Sequence, residues 1–493
     1  MSKVHGLVLL TSLIGAASLG VVACSDDGNL GGTSGGQSSG QSSGQSSGQT
    51  SGGTSGTSGG TSGTSGGPVT VEELSGDLTA SRTLTADKKY LLKGLVQVKA
   101  GATLTIAKGT TIMGDNASKA ILLVQAGAKI IAEGTADEPI VFTSQANEGS
   151  RKPGDWGGLV ILGNAPVNQP GGKGSVEGIL KTVGAGTEYG GTNADDNSGV
   201  LKYVRVEYAG IILSQDNEVN GITFAGVGRG TVVDYVQVRQ SLDDCFEWFG
   251  GTVNAKHLVC QGNQDDGFDM DNGFQGKLQF IVLQQDPVHV GEDNGFEIDN
   301  DANGSANQPL TAPTIFNASL FGKNADVDNL QYGMLIRRNA RGSFNNILVS
   351  GFDASLDIRD AATATGVTAP AAGEPALTIK STHFANAKGP GVVDNISFLE
   401  TGGAAPDKDN DGAFDEIQWF KVAGNKNAWN DPGISAGFNR TAPVFGPTAS
   451  LTANATPPPA DGFFDAAATY IGAFKDASDT WATTGKWVVW SDK

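Results

Sequence analysis

Three cysteines and four histidines are all that 493 residues contain. None of Cys24, Cys245, Cys260, His5, His257, His289 and His383 fall at metal-ligand spacing, which excludes a cysteine–histidine metal site. Charged residues are also scarce, at 17%, and the balance is acidic: 33 Lys and Arg against 52 Asp and Glu, a net charge of −19. Nucleic acid and anionic membrane surfaces are therefore excluded as electrostatic partners, and cations or neutral ligands are favoured. No apolar run is long enough for a comfortable membrane span. No stretch of a dozen residues or more carries an amphipathic helical period, which removes helix bundles from consideration. Glycine is abundant instead, at 72 residues.

The first 23 residues read as a secretory signal. Lys3 supplies the positive start, and Leu7 to Val22 is apolar and rich in small residues. It ends in Val21-Val22-Ala23-Cys24, which resembles the bacterial lipobox. The resemblance implies that Cys24 becomes the lipidated first residue of the mature chain, and Ser25 after it, by resemblance to the sorting rule of enteric bacteria, implies the outer membrane. Residues 24–67 follow as a tether of Gly, Ser, Thr and Gln in which Gln37-Ser38-Ser39-Gly40 recurs at 41–44 and 45–48. Such composition cannot build a core. As a flexible chain it spans roughly 35–40 Å on average. Residues 68–493 read as a single domain.

Within that domain, three phrases overlay without gaps. They are Leu242-Asp243-Asp244-Cys245-Phe246-Glu247-Trp248-Phe249, Gln264-Asp265-Asp266-Gly267-Phe268-Asp269-Met270-Asp271 and Glu292-Asp293-Asn294-Gly295-Phe296-Glu297-Ile298-Asp299, at offsets of 22 and 28. An earlier pair, Gly101-Ala102-Thr103-Leu104 and Gly127-Ala128-Lys129-Ile130, repeats at 26. A period in the twenties with a phased apolar residue marks a solenoid. Short Val- and Ile-rich runs separated by Gly, Asn and Asp turns make it an all-β, right-handed parallel β-helix. Its expected strands include Ile121 to Val124, Leu159 to Leu162, Leu201 to Val206, Val232 to Val238, Lys277 to Leu283, Ala376 to Ile379 and Val392 to Phe398. Inward stacks run Phe246, Phe268, Phe296, Met334, Leu356 and Trp248, Met270, Ile298, Ile336, Ile358. Strand alternation then points Glu247, Asp269, Glu297, Leu335 and Asp357 outward, with Phe249, Asp271, Asp299, Arg337 and Arg359 beside them. The aromatic tail, from Phe463 to Trp490, is expected to cap the open end.

Stacked acids at about 4.8 Å repel one another unless a cation, an arginine or a proton offsets them. Calcium is the cofactor the sequence points to. Asp407-x-Asp409-x-Asp411-Gly412 with Asp415 at the ninth place follows the first part of a calcium loop, and Glu416 stands near the missing twelfth ligand. Asp299-x-Asp301-x-Asn303-Gly304 is a second, shorter match. For chemistry, the candidates are Asp243, Asp244, Asp265, Asp266 and Arg337. Paired carboxylates suit glycoside hydrolysis. Asp243-Asp244-Cys245 resembles a segment of the polygalacturonase-like glycoside hydrolases, although that family's other motifs are missing. Asp271 and Asp299 beside Arg337 and Arg359 fit a polysaccharide lyase in outline. Trp156 and Tyr189, in glycine-flanked loops, either stack on a ligand or plug turns. Cys245 and Cys260 lie 15 residues apart, less than one coil. They either pair, as secretion allows, or stay as buried thiols.

Longer phrases carry a family resemblance. Gly154-Asp155-Trp156-Gly157-Gly158-Leu159-Val160-Ile161-Leu162-Gly163, Asp196-Asn197-Ser198-Gly199-Val200-Leu201-Lys202-Tyr203-Val204-Arg205, Phe249-Gly250-Gly251-Thr252-Val253-Asn254-Ala255-Lys256-His257 and Asp299-Asn300-Asp301-Ala302-Asn303-Gly304 are similar to those of a large, mostly uncharacterised family of secreted or lipid-anchored bacterial surface proteins. The resemblance implies a parallel β-helix of the pectate-lyase-like kind and an envelope location, with no established reaction. Three functions stay open on these residues: binding a polysaccharide or an envelope protein, carbohydrate-active catalysis, and a structural role in the envelope.

Overall fold

A computed structural model describes residues 70–491, except 177–178, 180–185, 215–216, 290–293, 327–329, 400–409 and 413. The signal, Cys24 and the tether lie outside the described residues. No described helix is long and apolar enough to cross a membrane.

Each middle coil consists of one long strand, one short strand and the turns between them. The long strands Val232–Arg239, Asn254–Gln261, Lys277–Gln284, Thr314–Phe321 and Gly342–Ser350 pair in parallel from coil to coil. The short strands Ile222–Ala225, Phe246–Phe249, Phe268–Asp271, Phe296–Ile298, Met334–Ile336 and Asp357–Ile358 do the same. The register is the one the repeated phrases demand: Phe246 on Phe268, Phe268 on Phe296, Phe296 on Met334. The chain is a parallel β-helix. Its inner stack is fully buried, with the rings of Phe246 and Phe268 5.3 Å apart and 4° from parallel. Such pairs add about 0.5–1.5 kcal/mol beyond their buried area.

The long strands bend where one residue per coil adopts a left-handed backbone. Tyr203, Tyr235, His257, Phe280, Asn317, Asn346 and Ser381 all have φ between 50° and 60°. Such a conformation is costly outside glycine. Stacking offsets it: Tyr203 on Tyr235 at 4.5 Å, Tyr235 on His257 at 4.0 Å and His257 on Phe280 at 4.9 Å. Further along, the amides of Asn317 and Asn346 take over by bonding carbonyls of the C-terminal segment.

That segment forms the expected aromatic cluster, and it covers the flank of the stack instead of its end. Trp487 meets Tyr235 edge-on at 5.4 Å, Trp481 meets His257 at 5.0 Å and Phe464 meets Phe316 at 5.0 Å. Polar ties alternate with the rings: the Gln237 amide group bonds both backbone groups of Val489, and Asp465 N–H donates to Gln279.

Two local features differ from expectation, and a third decides between two readings. Val392 to Phe398 is a tight antiparallel hairpin, Val392–Val393 with Ser397–Phe398, because Asp394 and Asn395 both take left-handed φ. Ala361–Thr368 is a helix that no sequence pattern marks; the Asp360 carboxylate caps it by accepting the Ala362 and Thr363 N–H groups. Trp156 is a turn plug. It is wholly buried, and its Nε1 donates to the Glu207 carbonyl at 2.8 Å. Tyr189 is likewise buried, stacked on Phe249.

Cys245 and Cys260 are joined in a disulfide, Cα to Cα 5.8 Å. Fifteen residues suffice because the bridge crosses a corner. Cys260 lies in register one coil above Val238, and Val238 faces Cys245 across the turn between long and short strands.

Candidate acid face

The outward side of the short-strand sheet changes character along the stack. On the early coils it is apolar. Leu123, Val160, Leu162, Ala225 and Phe249 form a second buried cluster beneath Val167, Val176, Tyr189 and the hairpin Ile211–Ser214/Asn217–Val219. On the late coils Tyr332, Leu335 and Ala354 pack with Phe398 of the 392–398 hairpin. Between these two covers lie the acids.

They form three columns. The first stands just before the strands and holds Asn220, Asp244, Asp266 and Asn294. Asp244 Oδ1 accepts the Asp266 N–H at 2.8 Å, Asp266 Oδ1 accepts the Asn294 N–H at 2.7 Å, and Asn294 Oδ1 accepts the Tyr332 N–H at 3.0 Å. The Asn220 amide donates to the Glu247 carboxylate, whereas Asp244, Asp266 and Asn294 each satisfy the backbone of the next coil. An amide does this without charge; Asp244 and Asp266 do it with a carboxylate. The second column is Thr223, Glu247, Asp269, Glu297, Leu335 and Asp357. The third begins Phe249, Asp271 and continues through Asp299 to Arg337 and Arg359.

Three groups of carboxylates converge so that one oxygen of each lies within 4.8 Å of the others: Asp243, Asp244 and Asp265; Asp244, Glu247 and Asp269; Asp266, Asp269 and Glu297. Asp244 and Asp269 each belong to two groups, so the acids form a chain along the stack. Burial, followed by neighbouring negative charge, holds Asp244, Asp266, Asp269 and Asp271 well above the usual carboxylate range. The neighbour that matters most is Asp243 for Asp244, Glu297 for both Asp266 and Asp269, and Asp299 for Asp271. Asp299 is raised to about 6 by burial and by Glu297, against the pull of Arg337 and Arg338.

Countercharge gathers at one end. Arg337 pairs with Glu297 and with Asp299, at 3.0 Å to the latter, and Arg338 pairs with Asp299 at 2.7 Å. The other arginine of the third column, Arg359, turns instead to Asp357 at 2.7 Å. Among the described residues no Lys or Arg forms an ion pair with Asp244, Asp266 or Asp269. Asp269 Oδ1 is buried without a hydrogen-bond partner.

All five sequence candidates lie on this face. Asp243, Asp244 and Asp265 meet in one group, Asp266 belongs to another, and Arg337 closes the end. Sequence reasoning placed Glu247, Asp269 and Glu297 outward but did not single them out; overlaying the phrases at their shared register would have found them. Arg338 gave no such signal, because its left-handed φ of 53° turns it back onto Asp299. His289 Nε2 lies 3.1 Å from the Gln264 carbonyl oxygen, next to Asp265.

In the first of the two candidate calcium loops, Asp407 and Asp409 lie outside the described residues. Asp411 is buried; Asp415 caps the helix Glu416–Phe420, and Glu416 accepts the Ile358 N–H. In the second loop Asp299 is occupied by arginines, and Asp301 accepts the Asn303 and Ser305 N–H groups as an Asx turn. The Asn303 side chain has no part in that turn.

A family model described as pectate-lyase like beta helix domain matches residues 76–415. The chain belongs to that family. No curated protein and no solved structure matches it.

Proposed function

We propose that this chain is a lipid-anchored cell-envelope protein, held in the outer membrane through Cys24, whose β-helix binds a ligand or partner at the acid face with calcium among the carboxylates. The observation that carries the reading is the chain of three carboxylate groups sharing Asp244 and Asp269, two residues that no Lys or Arg pairs with among the described residues. The donor set fits calcium: hard oxygen ligands, several to a site, from residues whose backbones are fixed by the strand ladder. The buried, unbonded Oδ1 of Asp269 is the kind of atom an ion satisfies. Calcium would supply the missing positive charge and a coordination point for ligand hydroxyls or carboxylates. The Asp407–Asp415 loop is a further calcium proposal, independent of the face.

Saturating calcium is expected to raise the melting temperature at pH 7 by roughly 3 °C over chelator, the effect of about 2.7 kcal/mol on a domain of this size. Asp269→Asn is expected to abolish most of that shift. Superimposable melts with and without calcium would refute ion binding.

A second reading is a carbohydrate-active enzyme, favoured by the family and by Arg337 and His289 flanking the acids. It predicts reducing-end or unsaturated products from an acidic polysaccharide, lost in Asp243→Asn and Asp266→Asn; a panel giving no product leaves binding as the function.

A further inference from the structure

On the flank built by the long strands, one outward column reads Gln261, Gln284, Phe321, Ser350, Ala385 on successive coils. The C-terminal segment crosses this column, and the early rungs reach it. Gln284 donates from Nε2 to the carbonyls of Gly437 at 2.8 Å and Asn439 at 3.1 Å. Phe321 meets Phe438 edge-on at 5.5 Å. Ser350 and Ala385 are too short to follow. Their shortness leaves a cavity of about 370 Å3, floored by Phe321, Ser350 and Ala385 and walled by Ile434 and Phe438, with the exposed Asp431 among its lining.

The cavity is half open to solvent, so a ligand can enter it. It falls within the range of small-molecule sites, about 300–1,000 Å3. Its chemistry is two-sided. Phe321, Phe438 and Ile434 offer an apolar surface. Ser350, 5% exposed, makes no side-chain hydrogen bond among the described residues. Asp431 has one oxygen fixed by the Gly433 N–H at 2.8 Å, which orients the carboxylate. No lining side chain is basic, although Lys388 reaches the edge by donating to Asn386 at 2.7 Å; what disfavours an acidic ligand is the fixed carboxylate of Asp431. A pyranose ring carries the matching surfaces: C–H groups for the rings, and hydroxyls for a carboxylate and a serine.

We propose that this cavity is a second ligand site that takes one neutral hexose unit. It is built from other strands than the acid face and does not depend on calcium there. The test is ligand-observed NMR titration of the full chain with glucose, galactose, mannose and glucuronate. At least one neutral hexose is expected to bind with a Kd on the order of 1 mM, and glucuronate much more weakly. Ser350→Leu, which fills the floor, and Asp431→Ala are each expected to weaken binding by about tenfold or more. Asp269→Asn should leave it unchanged. The proposal is overturned if no neutral hexose binds, if glucuronate binds as tightly as the best of them, or if folded variants at both positions bind like the parent. Should Ser350→Leu fail to fold, Asp431→Ala, at an exposed position, decides alone.

Discussion

Replacing Arg337 with Met is expected to cost about 3–5 kcal/mol at pH 8, the loss typical of leaving a buried charge without its partner. Arg337 is the only side chain that pairs with both Glu297 and Asp299 among the described residues, and its own side chain is only 20% exposed. Burial works against its charge, yet Glu297 and Asp299 outweigh that and raise its pKa. Met keeps the length and the apolar stem, so the loss reports the charge. The cost should also depend on pH. Asp299 titrates near 6, and without Arg337 it takes up a proton more readily. By pH 5 a neutral Asp299 needs no counter-cation, and the penalty should shrink. Chemical unfolding of both proteins at pH 5 and pH 8 measures this directly. A penalty under about 1 kcal/mol at pH 8, or one equal at both values, would show that the acid column does not depend on Arg337.

Changing both Cys245 and Cys260 to Ser is expected to cost about 3 kcal/mol, the loop-closure value for a cross-link spanning some 15 residues. The bridge joins one coil to the next at a corner beside the acid face, since Cys245 follows Asp244 directly. Both sulfurs are fully buried, so a reductant should reach them only through unfolding. The double Ser variant should therefore unfold at lower denaturant whether or not reductant is present, and the parent should move toward it only after unfolding in reductant. Equal stability of parent and variant in oxidising buffer would mean that the bridge adds nothing.

The solenoid was legible because its signal is repeated. Phe246, Phe268 and Phe296 sit in matching phrases, and strand pairing permits only one register that keeps all three inside. Features that occur once were not legible. The helix Ala361–Thr368 has no apolar stripe and is set by its Asp360 cap. The hairpin at 392–398 is set by two left-handed residues inside an apolar run. The tail's aromatic content marked it as a cover, but which surface it covers depends on the bend column of Tyr203, Tyr235 and His257, whose members look unrelated in sequence. The acid face was half legible. Each carboxylate could be assigned to the outside, but the groups that converge draw on two coils each, and the arginines cluster at one end only once the chain has turned back on itself.

Buried carboxylates held by protons or cations leave a signature in how stability varies with pH. Asp244, Asp266, Asp269 and Asp271 have raised pKa values when folded, and Asp299 sits near 6, against about 3.9 in an unfolded chain. Above about pH 4 the unfolded chain has released protons that the folded chain still holds, so stability falls as pH rises toward and past 6. The decisive measurement is the free energy of unfolding from pH 4 to pH 8, in chelator and in calcium, for the parent chain and for Asp244→Asn/Asp266→Asn. In chelator the parent should lose stability steadily across that range, calcium should restore it near neutrality, and the double amide variant should be flatter and respond far less to calcium. A parent profile that is level in chelator and unmoved by calcium would contradict a proton- or cation-dependent acid face.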